Sequence, residues 1–170
     1  MKKFLYIIDR TNEIVFKAIM WLIFPLFFSL FYEVVARYGF RSPTIWSYDL
    51  TYMLYGTMFI LCSPYVLGKN KHVRIDLFYE RFSPKVKNLI DAILYVVFFF
   101  PAITVLLYKG IEYAITSWKI GETSGASPWR PPLYPLKTIF AIALFLLLFQ
   151  GIVQFIKILH QLKEGEKVNG

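Results

Sequence analysis

Four long apolar runs mark this 170-residue chain: from about Ile14 to Val35, Trp46 to Gly68, Leu89 to Tyr108, and Leu136 to Leu159. Each approaches the twenty or so residues with which a helix crosses about 30 Å of hydrocarbon. The pattern predicts an all-α membrane protein, a single membrane domain over 1–170, with four transmembrane helices arranged as two hairpins. Between the hairpins lies a polar island, KNKHVRIDLFYER, residues 69–81. Pro25 and Pro101 fall inside the first and third runs and should kink them. The helical pattern of the third run extends outward as far as Trp118. Residues 119–135 then hold two glycines and four prolines, which predicts an ordered external loop with polyproline-like pieces in place of a regular helix. The tail QLKEGEKVNG is polar and is expected to be disordered.

Charge orients these elements. Between Lys69 and Lys87 lie six Lys or Arg residues, and a short loop this basic is expected to stay in the cytoplasm. Added to the N-terminal segment and the tail, this places thirteen of the nineteen basic residues on one side, so both termini are expected to be cytoplasmic. Lys2 and Lys3 suggest a signal peptide, but Asp9, Arg10, Glu13 and Lys17 interrupt any compact apolar core. The start is therefore expected to be a short amphipathic lead into a retained helix.

With 57% hydrophobic and 18% charged residues, the chain is too apolar for an ordinary soluble domain. Its net charge of +8 follows from membrane topology, and no basic stripe independent of the apolar runs points to nucleic acid. One cysteine, Cys62, excludes an internal disulfide and dithiol chemistry. The only histidines, His72 and His160, lie at the expected cytoplasmic side, so no span offers the axial ligands of a haem bundle. No cofactor or metal is expected on this chain.

The chemistry sits at the rims. No Asp, Glu, Lys or Arg occurs within residues 18–32, 50–68, 92–108 or 138–156. Carriers of ions usually place ionisable groups or unwound backbone at such depths. Glu33 and Arg37 are one helical turn apart, where they can pair. Trp46 marks an interface, and Asp49 falls in the first turn of the second span, where the helix dipole favours a carboxylate. Gly56 and Ser63, seven apart, put small residues on one face. Gln150 and Gln154, beside Gly151, are expected to hydrogen-bond to a neighbouring helix, at about 1 kcal/mol each. In the island, His72, Arg74 and Asp76 alternate with Val73, Ile75 and Leu77, as on an extended segment lying along a membrane surface.

Taken in order, RYGFRSPTIWSYDL (37–50), GKNKHVRIDLFYERFSPKVKNLID (68–91) and GETS (121–124) resemble the small membrane subunit, DctQ type, of tripartite ATP-independent periplasmic (TRAP) transporters. The resemblance runs from about Val34 to Gln150. HVRID after the second span is its strongest piece, and Asp49 departs from it where the family more often has glutamate. It implies a three-part importer of organic anions. A periplasmic solute-binding protein captures the solute, a large polytopic membrane subunit carries it with sodium, and the small subunit enlarges the fixed scaffold. Sodium is then expected at the large subunit, and membrane lipids are expected around this chain. Glu33, Arg37, Trp46 and Asp49 would organise the outer ends of the first hairpin. His72, Arg74 and Asp76 would tie the inner loop to the large subunit, to lipid or to this chain's own helices. Arg41 and residues 121–135 could touch the binding protein. Two alternatives stay open: a small proton-coupled homodimeric exporter titrating Glu33, and the membrane anchor of an enzyme complex.

Overall fold

The computed structural model describes residues 2–69 and 82–167, all helical apart from short connections. The helices are α1 (Lys2–Met20), α2 (Ile23–Val34), α3 (Ser47–Gly68), α4 (Pro84–Leu94), α5 (Phe100–Ile120) and α6 (Tyr134–Lys167). They form four stretches long and apolar enough to cross a membrane: Leu5–Gly39, Ser47–Gly68, Lys85–Ile120 and Tyr134–Lys163.

Three of these exceed the expected spans. A helix of 35 residues is about 52 Å long at 1.5 Å per residue, well beyond the hydrocarbon thickness. The polar lead is therefore the opening of the first helix itself. The third stretch is helical out to Ile120, past Trp118. The tail expected to be disordered continues α6 to Lys167. In each case polar residues compatible with a helix adjoin the apolar segment and no proline intervenes; Gly110 and Gly165 fall within the extensions without ending them, and the backbone continues its own hydrogen bonds.

The prolines act locally. Pro25 has no N–H for the Trp21 carbonyl, which accepts instead from Phe24 N–H at 3.3 Å, and Leu22 N–H donates to Ile19 at 3.0 Å. The α-helical pattern lapses at Trp21 and Leu22 and resumes when Leu26 N–H donates to the Leu22 carbonyl. In the third stretch, residues Tyr95–Phe99 widen to a π-helical segment just before Pro101, with Phe100 N–H reaching back to the Tyr95 carbonyl. A second π-helical segment, Val35–Gly39, ends the first stretch.

Packing follows the order first, second, fourth, third: α3 lies between α1/α2 and α6, and α6 carries α4 and α5 on its far side. The fourth stretch is the most buried and the third has no buried residue in its apolar window. Ala141, Ala143, Leu144, Gln150, Val153, Gln154 and Ile158 of α6 form the centre. Small residues let neighbours close in. A Cβ on Gly56 would sit 3.9 Å from Leu136, so this face of α3 meets α6 as its small residue suggests. Ser63 instead turns its hydroxyl onto the Phe59 carbonyl of its own helix. The closest approach is at Gly151, where a Cβ would lie 2.1 Å from Phe99 Cε1, so the ring presented by the π-helical segment rests directly on the α6 backbone.

Gly151→Ala should therefore cost about 1–3 kcal/mol by overpacking. The check is thermal unfolding in detergent, with Phe99→Ala in the same chain recovering part of the loss. An unshifted melt would mean that the ring moves aside freely.

Candidate functional site

Polar side chains gather at the two ends of the helix assembly, and they join helices that are distant in sequence. One end holds residues 33–49 and the loop 121–133. The other holds the first half of α1, the end of α3, and the Gln150–Lys157 section of α6 that packs against them.

At the loop end, Glu33 is the hub of the α2–α3 connection. Arg37 Nε donates to Glu33 Oε1 at 2.8 Å, and the Thr44 N–H and hydroxyl both donate to Oε2. The i,i+4 pair foreseen from the sequence is present, but Thr44, eleven residues on, completes it and holds the turn back against α2. Ser47 Oγ donates to the Ser29 carbonyl at 3.2 Å, and the Tyr32 and Trp46 rings stack at 5.7 Å. Trp46 thus packs on α2. Arg41 is exposed, has a left-handed backbone (φ 55°), and makes no side-chain hydrogen bond among the described residues.

Asp49 does more than complement the helix dipole. It is only 1% exposed and accepts hydrogen bonds from Ser124 Oγ at 2.6 Å and from Ser127 Oγ. The same hydroxyls accept from the Ala126 and Trp129 N–H groups, so one buried carboxylate organises the loop backbone. Gly121 at φ 58° ends α5, with the Glu122 N–H bonded to Ser117 O and the Gly121 N–H to Trp118 O. The chain then closes on itself: Thr123 and Pro132 form an antiparallel bridge, Ser124 N–H donates to Pro131 O, and Leu133 N–H donates to Glu122 O. The loop is ordered as expected. Its order rests on cross-loop backbone bonds, which polyproline segments lack.

Glu122 also pairs with Lys137, whose ammonium lies 3.5 Å over the Tyr113 ring. The hydrogen bond from Lys137 is the main reason that the Glu122 carboxyl is held below its ordinary value of about 4.5. Trp118 Nε1 donates to Thr138 Oγ1 at 2.9 Å, a further tie between α5 and α6.

At the other end, both glutamines reach neighbouring helices as their spacing suggests. Gln154 Nε2 donates to the Leu67 and Gly68 carbonyls, each at 2.8 Å, satisfying backbone that the end of α3 leaves without a helical partner. Gln150, fully buried, donates from Nε2 to Asp9 Oδ1 at 2.8 Å and accepts from Asn12 Nδ2 at 2.6 Å. Lys157 completes the group on Asp9 Oδ2 at 2.9 Å. Gly68 makes room, because a Cβ there would come within 2.8 Å of Gln150 Nε2. The sequence alone offered no partner for Asp9, Asn12, Ser124, Ser127, Glu122 or Lys137, although Glu122 and Ser124 stand in the GETS motif and Ser127 in the external loop. The one signal available was that each is a polar residue close to the edge of an apolar run. His72, Arg74 and Asp76 lie outside the described residues. Among the described residues, no three His, Cys, Asp or Glu side chains converge as metal ligands would.

The family model for tripartite ATP-independent periplasmic transporters, DctQ component, matches residues 26–161. The chain belongs to this family. No curated protein matches it. As a DctQ component it is a multi-pass membrane protein, the small subunit of a TRAP transporter, and not an enzyme. Membership implies a large membrane subunit and a periplasmic binding protein as partners in general. The match takes in the Glu33 hub, Asp49, the 121–133 loop and both glutamines, but not Asp9 and Asn12 of α1.

Asp49→Ala should strand two serine hydroxyls and loosen the DctQ loop by about 1–3 kcal/mol. Faster amide hydrogen exchange at Ala126 and Trp129, with α3 unchanged, is the expected result, and unaltered exchange would show that the loop closes without the carboxylate. The Glu122–Lys137 pair adds a pH dependence. Because the folded Glu122 pKa is lowered, its contribution is complete above about 4.5 and is lost as pH falls through the lowered folded value. Exchange in residues 121–133 should rise over that acidic window in the native chain, and Glu122→Gln should remove this rise.

Proposed function

We propose that this chain is the scaffold subunit of a secondary, sodium-coupled importer of organic anions in the cytoplasmic (inner) membrane of a bacterium or archaeon. In this reading both termini and residues 69–81 face the cytoplasm, and the spans pair as two hairpins. The loop 121–133 and Arg41 face the periplasm and meet the solute-binding protein. His72, Arg74 and Asp76 fasten the inner loop to the large subunit or to lipid. Sodium and solute pass through the large subunit.

The observation that carries this reading is the placement of polarity. The midsections of all four spans lack Asp, Glu, Lys and Arg, and the described polar contacts join helices to one another around the ends of α2 and α3. A subunit built this way has no site for a charged solute at mid-membrane depth, and its rigid ends suit it to standing still while a neighbour moves. Glu33 would have to exchange protons if the chain were an exporter. Instead its carboxylate is engaged by Arg37 and by both donors of Thr44, so nothing favours that alternative.

Tagged chain co-expressed with the genes beside its own should recover one large polytopic membrane protein in about equal amount from detergent extracts. Recovery as a homodimer without such a partner, together with ion-coupled transport by the isolated chain that Glu33→Gln abolishes, would overturn the scaffold assignment.

A further inference from the structure

The side of the molecule that carries the loop 121–133 has an uneven charge balance. Its four carboxylates are all occupied: Glu33 by Arg37 and Thr44, Glu112 by Lys109, Glu122 by Lys137, and the buried Asp49 by two serine hydroxyls. Six Lys or Arg residues stand on the same side, and Arg37, Lys109 and Lys137 pair with those carboxylates. The other three, Arg41, Lys119 and Arg130, are exposed and have no hydrogen bond, ion pair or ring contact among the described residues. This side therefore presents three cations outward and no described carboxylate without a partner.

The backbone determines where these cations stand. Arg41 and Arg130 both have left-handed backbone, at φ 55° and 47°, a conformation that glycine adopts freely and a long side chain does not. Each turn is also tied to the polar contacts of the rim. Arg130 N–H donates to the Ser127 carbonyl at 3.3 Å, and Ser127 Oγ donates to Asp49. Beside Arg41, Ser42 N–H donates to the Ala36 carbonyl at 2.9 Å, and Thr44 is held by Glu33. Lys119 lies in the last turn of α5, just before Gly121 starts the loop. A cation that only anchors at lipid headgroups needs no such placement, because its flexible stem lets it snorkel from almost any position. Tyr38, Phe40, Tyr48 and Trp129 are exposed on the same rim. Aromatic residues with arginine are the composition enriched at protein–protein contacts.

We propose that Arg41, Lys119 and Arg130 receive an acidic patch on a water-soluble protein partner and speed its encounter by electrostatic attraction. Exposed rim charges act mainly on the rate of association and contribute little to holding a complex together. Such a contact suits a partner that must arrive and leave repeatedly. The identity of that partner, the solute-binding protein, rests on the scaffold reading, whereas the sign of its contact surface rests on the charges of this chain.

The test uses the full chain together with the large subunit that co-purifies with it, in phosphatidylcholine nanodiscs. The probe is the solute-binding protein encoded beside it, followed by biolayer interferometry in potassium chloride so that sodium does not vary. Raising the salt from about 50 to about 500 mM should slow association about tenfold and leave dissociation within about twofold. Arg41→Gln, Lys119→Gln and Arg130→Gln combined should slow association about tenfold at low salt and flatten the salt dependence. Lys109→Gln with Glu112→Gln removes an exposed pair from the same side and should change neither. Arg41→Lys with Arg130→Lys keeps the charge and should associate at the native rate, which separates loss of charge from damage to the two turns. Salt-independent association of the native complex, native-like association of the triple variant, or no association at all would overturn the proposal, and co-purification of the large subunit would leave the scaffold assignment standing. Phosphatidylglycerol retained by the native chain and lost from the triple variant in native mass spectrometry, with association of the binding protein unchanged, would give the cations to lipid headgroups and also overturn it. Failure of the scaffold reading has a different sign, a preparation without the large subunit, and the salt dependence would then be measured on the chain alone.

Discussion

Hydrocarbon offers no hydrogen-bond partners, and most of this molecule follows from that constraint. A polar side chain on one of these helices must reach another protein group or lie near an end. The chain uses both solutions together. Its charged groups lie outside the span midsections, and its buried polar groups bond across helices, so that what would be a cost in isolation becomes the registration of one helix against the next. Gln150 and Gln154 are the clearest instance. Two amides one turn apart on α6 hold α1 through Asp9 and Asn12, and hold α3 through its terminal carbonyls. Apolar contacts alone would leave helices free to slide, because lipid tails are as apolar as the side chains they replace.

The same constraint explains the placement of small residues and prolines. Gly68 gives Gln150 its path to Asp9, and Gly151 lets the Phe99 ring lie on the α6 backbone. Pro101 follows the π-helical segment that presents that ring, so a local backbone irregularity and a missing side chain on the facing helix belong to one packing solution. At the opposite end a buried carboxylate, Asp49, ties α3 to the loop 121–133, which contains three prolines and closes on itself through cross-loop backbone bonds. The two ends are firm and the middle is smooth. This combination suits a subunit that takes part in transport without itself handling charge.

Several features were legible in the sequence because they depend on near neighbours or on solvent. Four apolar runs of spanning length announce four membrane helices whatever their mutual arrangement. Glu33 and Arg37 share a face by helical periodicity alone, and the two glutamines, stranded in apolar surroundings, had to find partners on another helix. The motifs from Arg37 to Ser124 were enough to suggest the DctQ family, to which the chain belongs.

What the sequence could not decide was which distant groups meet. Asp49 and Ser124 are 75 residues apart, and Asp9 and Lys157 are separated by 148. No periodicity links such pairs, and each residue taken singly looks like an ordinary rim polar group. Helix ends were equally hidden, because polar residues after an apolar run are compatible with both a solvated coil and a continuing helix. Composition and period thus determined the number and kind of the helices. Their lateral order, with α6 at the centre, and the polar contacts at their ends were decided only by tertiary packing, since burial of a polar atom becomes a cost to be met only once a second helix has excluded its solvent.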